Sequence, residues 1–228
     1  DVRIIGERSE PGRIHFGVDG IEAAFAIAVP GRHNVLNATA AIIALGAAAA
    51  TRYGGEWRSF VQERRGAVAT GLLSFSGSRR RSELLGEVRD IRVMDDYGHH
   101  PTEIETTLRG LREFYRPERL VVDFMSHTYT RTARLLDRFA VAFADADLVI
   151  INEIYASARE QFDGSISGED LARAIRREQS GVIYRPSVEE ATEYLLGELR
   201  PGDLFLTLGA GDNWRIGRTL LERLQEDV

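Results

Sequence analysis

Apolar and polar positions alternate from the start of the chain. Runs at 2–5, 13–18 and 21–29 are separated by Pro11-Gly12 and Asp19-Gly20, which predicts a three-stranded meander with tight turns. Pro30-Gly31 ends that alternation. An alanine-rich stretch at 34–53 then reads as a helix closed by Gly54-Gly55, and 56–65 as a second, amphipathic helix. Residues 75–81 read as a loop. A hairpin is expected next, with strands at 82–85 and 91–94 around a turn at Gly86-Glu87.

Beyond that point the period settles into strand–helix alternation. Helix 101–114 opens on Pro101 with Glu103 close behind, as helix starts prefer. Strands at 119–125, 147–154, 182–185 and 203–208 alternate with helices at 130–143, 167–178, 188–199 and 213–226. Ser167 and Asp170 have the spacing of a capping box. With 91–94, this makes an α/β pattern built on a mainly parallel, Rossmann-like sheet. The continuous apolar run Leu148-Val149-Ile150-Ile151 fits a strand covered on both faces. The expected boundary lies near 86–91. Residues 89–228 then form a complete Rossmann-like domain, and 1–88 the closing part of another.

Composition narrows the chemistry. The formal charge of −6 gives no electrostatic basis for nucleic-acid binding, and the absence of cysteine excludes disulfides and thiolate catalysis. All 29 basic residues are arginine. Without lysine the chain can supply neither a Walker-type phosphate lysine nor a Schiff base. The apolar stretch 38–51 is too short to span a bilayer, and no segment resembles a signal peptide. A cytoplasmic protein without a membrane partner is expected. The chain opens on Asp1 inside a strand-like run, so a piece of a longer protein is expected as well.

Chemistry concentrates where strands should end. Asp95-Asp96-Tyr97-Gly98-His99-His100-Pro101 packs two carboxylates, a phenol and two imidazoles between a strand and a helix. In open α/β sheets ligands bind outside the carboxyl ends of strands. The carboxylates suit a ribose hydroxyl or a metal, and the imidazoles suit a carboxylate or an amine. His127-Thr128-Tyr129-Thr130-Arg131 follows the next strand and should converge on the same crevice. Arg159 and Glu160 follow the third strand. Gly209-Ala210-Gly211-Asp212 could bring backbone N–H groups close to a ligand. His33, Asn34 and Asn37 can share a helical face, where carboxamides suit the edge of adenine; Asn34 equally suits a helix cap. Arg79-Arg80-Arg81 suits phosphate, or a solvated surface.

Taken together these segments resemble the Mur ligase family. The resemblance rests on Asp95 through Glu103, Gly31-x-His33-Asn34-x-x-Asn37, Phe75-x-Gly77 with Arg80, Arg81 and Glu83, His127-x-Tyr129-Thr130-Arg131-Thr132, Tyr155-x-x-x-Arg159-Glu160 and Gly209-Ala210-Gly211-Asp212, all in the family's order. It implies ATP- and Mg²⁺-dependent joining of L-alanine to UDP-N-acetylmuramate through an acyl phosphate. It further implies the last part of a central ATPase domain followed by a whole C-terminal domain. By resemblance, His33, Asn34, Asn37, Arg80, Arg81, Asp96 and Tyr97 bind ATP. Tyr97, His99, His127, Arg131, Gly209 and Ala210 bind the amino acid, with His99 and Arg131 nearest the chemistry. The metal ligands and phosphate lysine are expected outside this chain, which alone should ligate nothing. Two departures stand out: Phe124-Met125-Ser126 replaces a frequent Phe-Gln-Pro, and Thr128 stands where some members carry a second arginine.

Overall fold

The structure, a computed structural model, describes residues 1–156 and 164–226. Two compact units emerge. One comprises 1–77 with 113–116, the other 78–112 with 117–228.

In the first unit, β1 (Ile4–Glu10), β2 (Arg13–Val18) and β3 (Ala24–Ile27) form an antiparallel sheet in chain order. Alternation drives it: Ile14, Phe16 and Val18 of β2 are buried, while the residues between them are more exposed. They meet Val35, Ala38 and Ile42 of α1 (Arg32–Tyr53) in one core. The helix matches the expected 34–53 closely. A window of 18 residues within it has mean hydropathy 1.5, enough to cross a membrane by length and composition, and 33% of that window is buried. Asn34 and Asn37 lie in the helix as expected, and its start extends two residues further, to Arg32. After α2 (Trp57–Glu63) comes α3 (Arg65–Leu73), a helix absent from the sequence reading because its two glycines, Gly66 and Gly71, weaken helix propensity.

The second unit is a six-stranded sheet in the order β4-β5-β9-β6-β7-β8. The strands are β4 (Glu83–Val88), β5 (Ile91–Asp96), β6 (Arg119–Met125), β7 (Leu148–Ile151), β8 (Val182–Tyr184) and β9 (Asp203–Gly209). Only the β4–β5 pair is antiparallel. All seven residues of β9 are buried, as expected of a central strand.

Three expectations shift here. The hairpin turns at Arg89-Asp90, both with positive φ (50° and 61°), not at Gly86-Glu87. Gly86 instead sits at an irregularity in the β4–β5 register. Because hydrogen bonds join β4 to β5, the second unit begins at Ser78, earlier than the expected boundary. The single helix expected at 130–143 is two, α5 (Tyr129–Arg134) and α6 (Leu136–Val141), broken at Leu135 (φ −111°). The remaining helices are α4 (Pro101–Tyr115), α7 (Gly168–Arg176), α8 (Val188–Glu198) and α9 (Trp214–Glu226). Ser167 and Asp170 form the expected capping box on α7.

Candidate active site

Parallel strands share one carboxyl edge, so the residues following β5, β6, β7 and β9 gather there whatever their separation in sequence. Asp95 and Asp96 end β5 itself. Both are buried, at 3% and 5% exposure, rather than displayed in a loop. Asp95 accepts from Arg80 Nε at 2.9 Å and from Thr207 Oγ1 at 2.8 Å. Asp96 accepts the Ser82 backbone N–H (2.6 Å) and hydroxyl on one oxygen, and the Gly98 N–H (2.7 Å) on the other. Burial raises both carboxyls above the ordinary range, against those hydrogen bonds.

Arg80 is the hub of this corner. Its Nη2 donates to the Gly209 carbonyl at 2.8 Å, its backbone N–H to Glu83, and its guanidinium lies 4.9 Å from the centre of the Tyr97 ring. Arg80 and Ser82 both hold positive φ (55° and 46°), a strained path that the two aspartates stabilise. Arg81 remains exposed.

Tyr97 begins a row of rings along the sheet edge. Tyr97 meets His99 at 5.4 Å, His99 meets His127 at 6.4 Å, and His127 stacks on Tyr155 at 6.0 Å. Three loops, after β5, β6 and β7, thus converge as expected. Glu103 in the first turn of α4 accepts the His99 and His100 backbone N–H groups. Burial pushes its carboxyl up, but those bonds together with His99 and Arg81 hold it below the usual range. His99 Nδ1 lies 3.1 Å from the Tyr97 carbonyl. A carbonyl only accepts, so Nδ1 carries the hydrogen and Nε2 is the basic nitrogen of the neutral ring.

The β6 loop is built with equal economy. Thr132 Oγ1 donates to the Thr128 carbonyl at 2.7 Å, so the Ser126 hydroxyl, 2.6 Å away, donates to Thr132. Thr128 holds φ 71°, unusual for a β-branched residue, and its N–H donates to the Tyr155 carbonyl. Arg131 follows. Its Nη1 is buried without a hydrogen-bond partner beside a cavity of about 460 Å³ lined by His100, Thr128, Thr130, Arg131, Arg134 and Leu135. A buried guanidinium nitrogen without an acceptor is costly, which suits a site built for an anion.

The glycine turn has another reason to be glycine. A Cβ on Gly209 would stand 2.3 Å from the Met125 carbonyl, and one on Gly211 would stand 2.2 Å from the Met125 sulfur. The close approach is β9 against β6, and Ala210 is half-buried beside it. Arg159 and Glu160 lie outside the described residues.

In the first unit, α1 has Gly31 as N-cap with no side-chain cap bond, so Asn34 does not cap it. Asn34 instead donates to the Pro30 carbonyl at 2.8 Å and accepts from Asn37 at 3.4 Å. A Cβ on Gly31 would meet the His33 ring at 2.6 Å, so that ring folds back over the helix start.

Sequence reasoning missed Ser82 and Thr207, and gave no role to Ser126 and Thr132, which it named. Their types are unremarkable where they stand, and only folding brings them to the aspartates and the β6 loop. Among the described residues, no group of three His, Asp or Glu side chains is placed to hold a metal ion.

Comparison with known proteins shows the family. The family described as "Mur ligase, glutamate ligase domain" matches residues 80–211. The UDP-N-acetylmuramate–L-alanine ligase of Treponema pallidum is 49% identical over 95% of this chain and 44% of its own length. That of Pelotomaculum thermopropionicum is 40% identical over 91% of this chain and 42% of its own. The chain therefore spans about half the length of the curated relatives it matches. The crystal structure of the UDP-N-acetylmuramate–alanine ligase of Thermotoga maritima superposes over 100% of this chain and 46% of that one, with TM-score 0.78 at 24% identity, a likeness of fold. A murein peptide ligase of Psychrobacter arcticus superposes over 98% of this chain and 44% of its own, with TM-score 0.56 at 25% identity.

Proposed function

The chain belongs to the Mur ligase family, and we propose that it forms part of the ligase that joins L-alanine to UDP-N-acetylmuramate at the expense of ATP. The observation that carries the amino-acid assignment is the buried, unpaired Nη1 of Arg131 beside its cavity, on the helix that follows the loop presenting His127. Arg131 pairs the alanine carboxylate. His99 and His127 face the amine side, and His99 Nε2 accepts the proton that the amine nitrogen sheds as it attacks the acyl phosphate and phosphate leaves. Tyr97 and Tyr155 close the row of rings at either end.

The residues read as nucleotide-binding are taken unit by unit. Asn34 is tied to Pro30, so the exposed Asn37 carboxamide and His33 meet the adenine edge. In the second unit Arg81 carries the exposed cation. Arg80 and Asp96 are committed to Asp95, Gly209, Ser82 and Gly98, and they serve the nucleotide by shaping the loops that also carry Tyr97. No described residue of this chain is assigned to Mg²⁺. A cytoplasmic location belongs to the same reading, since the substrates are soluble precursors.

The test is a ligase assay on the full-length protein with a panel of amino acids, comparing wild type with Arg131→Ala. Loss of the carboxylate partner should raise the KM for alanine by about 2–5 kcal/mol in free-energy terms. An unchanged KM would remove Arg131 from the site. A preference for an amino acid other than alanine would reassign the substrate.

A further inference from the structure

Asp123 lies inside β6 with 0% exposure, in a strand whose other central residues are apolar. Its two partners are equally buried. Asn152, just past β7, donates from Nδ2 to Asp123 Oδ2 at 3.0 Å and to the Arg185 carbonyl beyond β8 at 3.1 Å. Asn213, just before α9, donates from Nδ2 to Asp123 Oδ1 at 3.0 Å, to the Asp123 carbonyl at 3.2 Å and to the Leu208 carbonyl of β9 at 3.1 Å.

The orientation of both amides is dictated by their surroundings. Each nitrogen faces only acceptors, so neither amide can turn over without setting oxygen against oxygen. The consequence is that Asn152 Oδ1 and Asn213 Oδ1 are buried with no hydrogen-bond partner. Each such orphan forfeits the hydrogen bonds it would make with water. A purely structural sheet centre would be cheaper with apolar residues. What the arrangement provides is position. The continuous ladders end at Met125 of β6, Ile151 of β7 and Gly209 of β9; beyond them a single bridge joins the β6 and β7 exits, with Tyr155 N–H donating to the Ser126 carbonyl (2.8 Å) and Thr128 N–H to the Tyr155 carbonyl (3.1 Å). The three side chains tie these strand ends together where the continuous ladders give way to that one bridge. Asp123 stands four residues before His127, Asn152 three before Tyr155, and Asn213 two after Gly211.

We propose that Asp123, Asn152 and Asn213 form a positioning clamp that sets the exits of β6, β7 and β9, and through them the placement of His127, Tyr155 and Arg131 around the amino acid. The role in amino-acid binding rests on the functional reading above. The clamp itself does not. Each carboxyl oxygen keeps a lone pair for its amide whether or not the group is protonated, whereas asparagine at 123 would set an NH₂ against one of the neighbouring NH₂ groups and loosen one side.

Two measurements on the full-length protein test the clamp, each on Asn152→Ala and Asn213→Ala, with Asp123→Asn as a third variant should either alanine variant fail to fold. In steady-state kinetics, the KM for alanine should rise about tenfold while kcat at saturating alanine and the KM values for ATP and UDP-N-acetylmuramate stay within about twofold. In hydrogen exchange followed by mass spectrometry, amides of 126–131 and 153–155 should exchange faster while those of α8 keep their protection. A fall in thermal stability or active fraction with the alanine KM unchanged would reduce the network to a structural one and overturn the proposal. If the wild-type enzyme uses no alanine at all, the functional reading fails and exchange alone decides. Faster local exchange then sustains the clamp, and uniform or unchanged exchange refutes it.

Discussion

Asp95 and Asp123 are two buried carboxylates on the strands that flank β9, each in register with Thr207, yet their burial is compensated in opposite ways. Asp95 has a cation, Arg80, and a hydroxyl, Thr207. Asp123 has two neutral amides and no cation among its hydrogen-bond partners. Burial pushes both carboxyls up, and for Asp123 the result is about 7. A charge partner makes a buried acid tolerable and opens it to the surface, because an arginine must keep part of itself near water. Amides allow the acid to sit at full depth, at a higher cost and with tighter geometry. Arg80 accordingly leads outward to Tyr97 and Gly209, while Asp123 leads only to other strand ends.

The largest test of that contrast is the pH dependence of stability. Folded Asp123 holds its proton to about pH 7, whereas the unfolded residue releases it near the ordinary value of 3.8. Between those values the folded state binds the extra proton, so this group's contribution to stability falls as pH rises through the window, by up to about 4 kcal/mol. Denaturant titrations between pH 4 and 8 should show that decline flattened in Asp123→Asn, whatever the offset in absolute stability. An unchanged slope would place the proton elsewhere.

Next in size is Arg80→Ala, which leaves Asp95 buried without its cation. A loss of about 3 kcal/mol is expected at neutral pH, shrinking in acid as Asp95 takes up a proton. Chemical denaturation at two pH values checks it, and a pH-independent loss would mean that packing on Tyr97 dominates instead.

The smallest and sharpest is Thr207→Val, which removes a hydroxyl bonded to Asp95 while keeping the shape of the side chain. It should cost about 1.5 kcal/mol and leave the Asp123 slope untouched. If both acids respond, they titrate as one unit and the contrast between them fails.

The same pair shows what could be read in advance. Asp95 was visible because it adjoins Asp96, Tyr97, His99 and His100, a cluster that local sequence places at a strand end. Asp123 was not, because Val122-Asp123-Phe124 reads as a strand with one odd residue, and its partners stand 29 and 90 positions away. The helix break at Leu135 and the helix α3 escaped for a related reason: periodicity spans short elements and glycines too weakly to mark them. The turn at Arg89-Asp90 was hidden because two non-glycine residues adopt positive φ there.

By itself the sequence determined the α/β alternation, the carboxyl edge on which the chemistry falls and the family to which the chain belongs. These depend on the periods of helix and strand and on motifs whose residues are neighbours along the chain. Tertiary structure alone decided that Asp96 is a buried brace for two loops, that Gly209 and Gly211 make room for Met125, and that Asp123 meets Asn152 and Asn213. Each of those depends on strands brought side by side by the sheet, where a spacing of about 5 Å between chains replaces any distance countable along one.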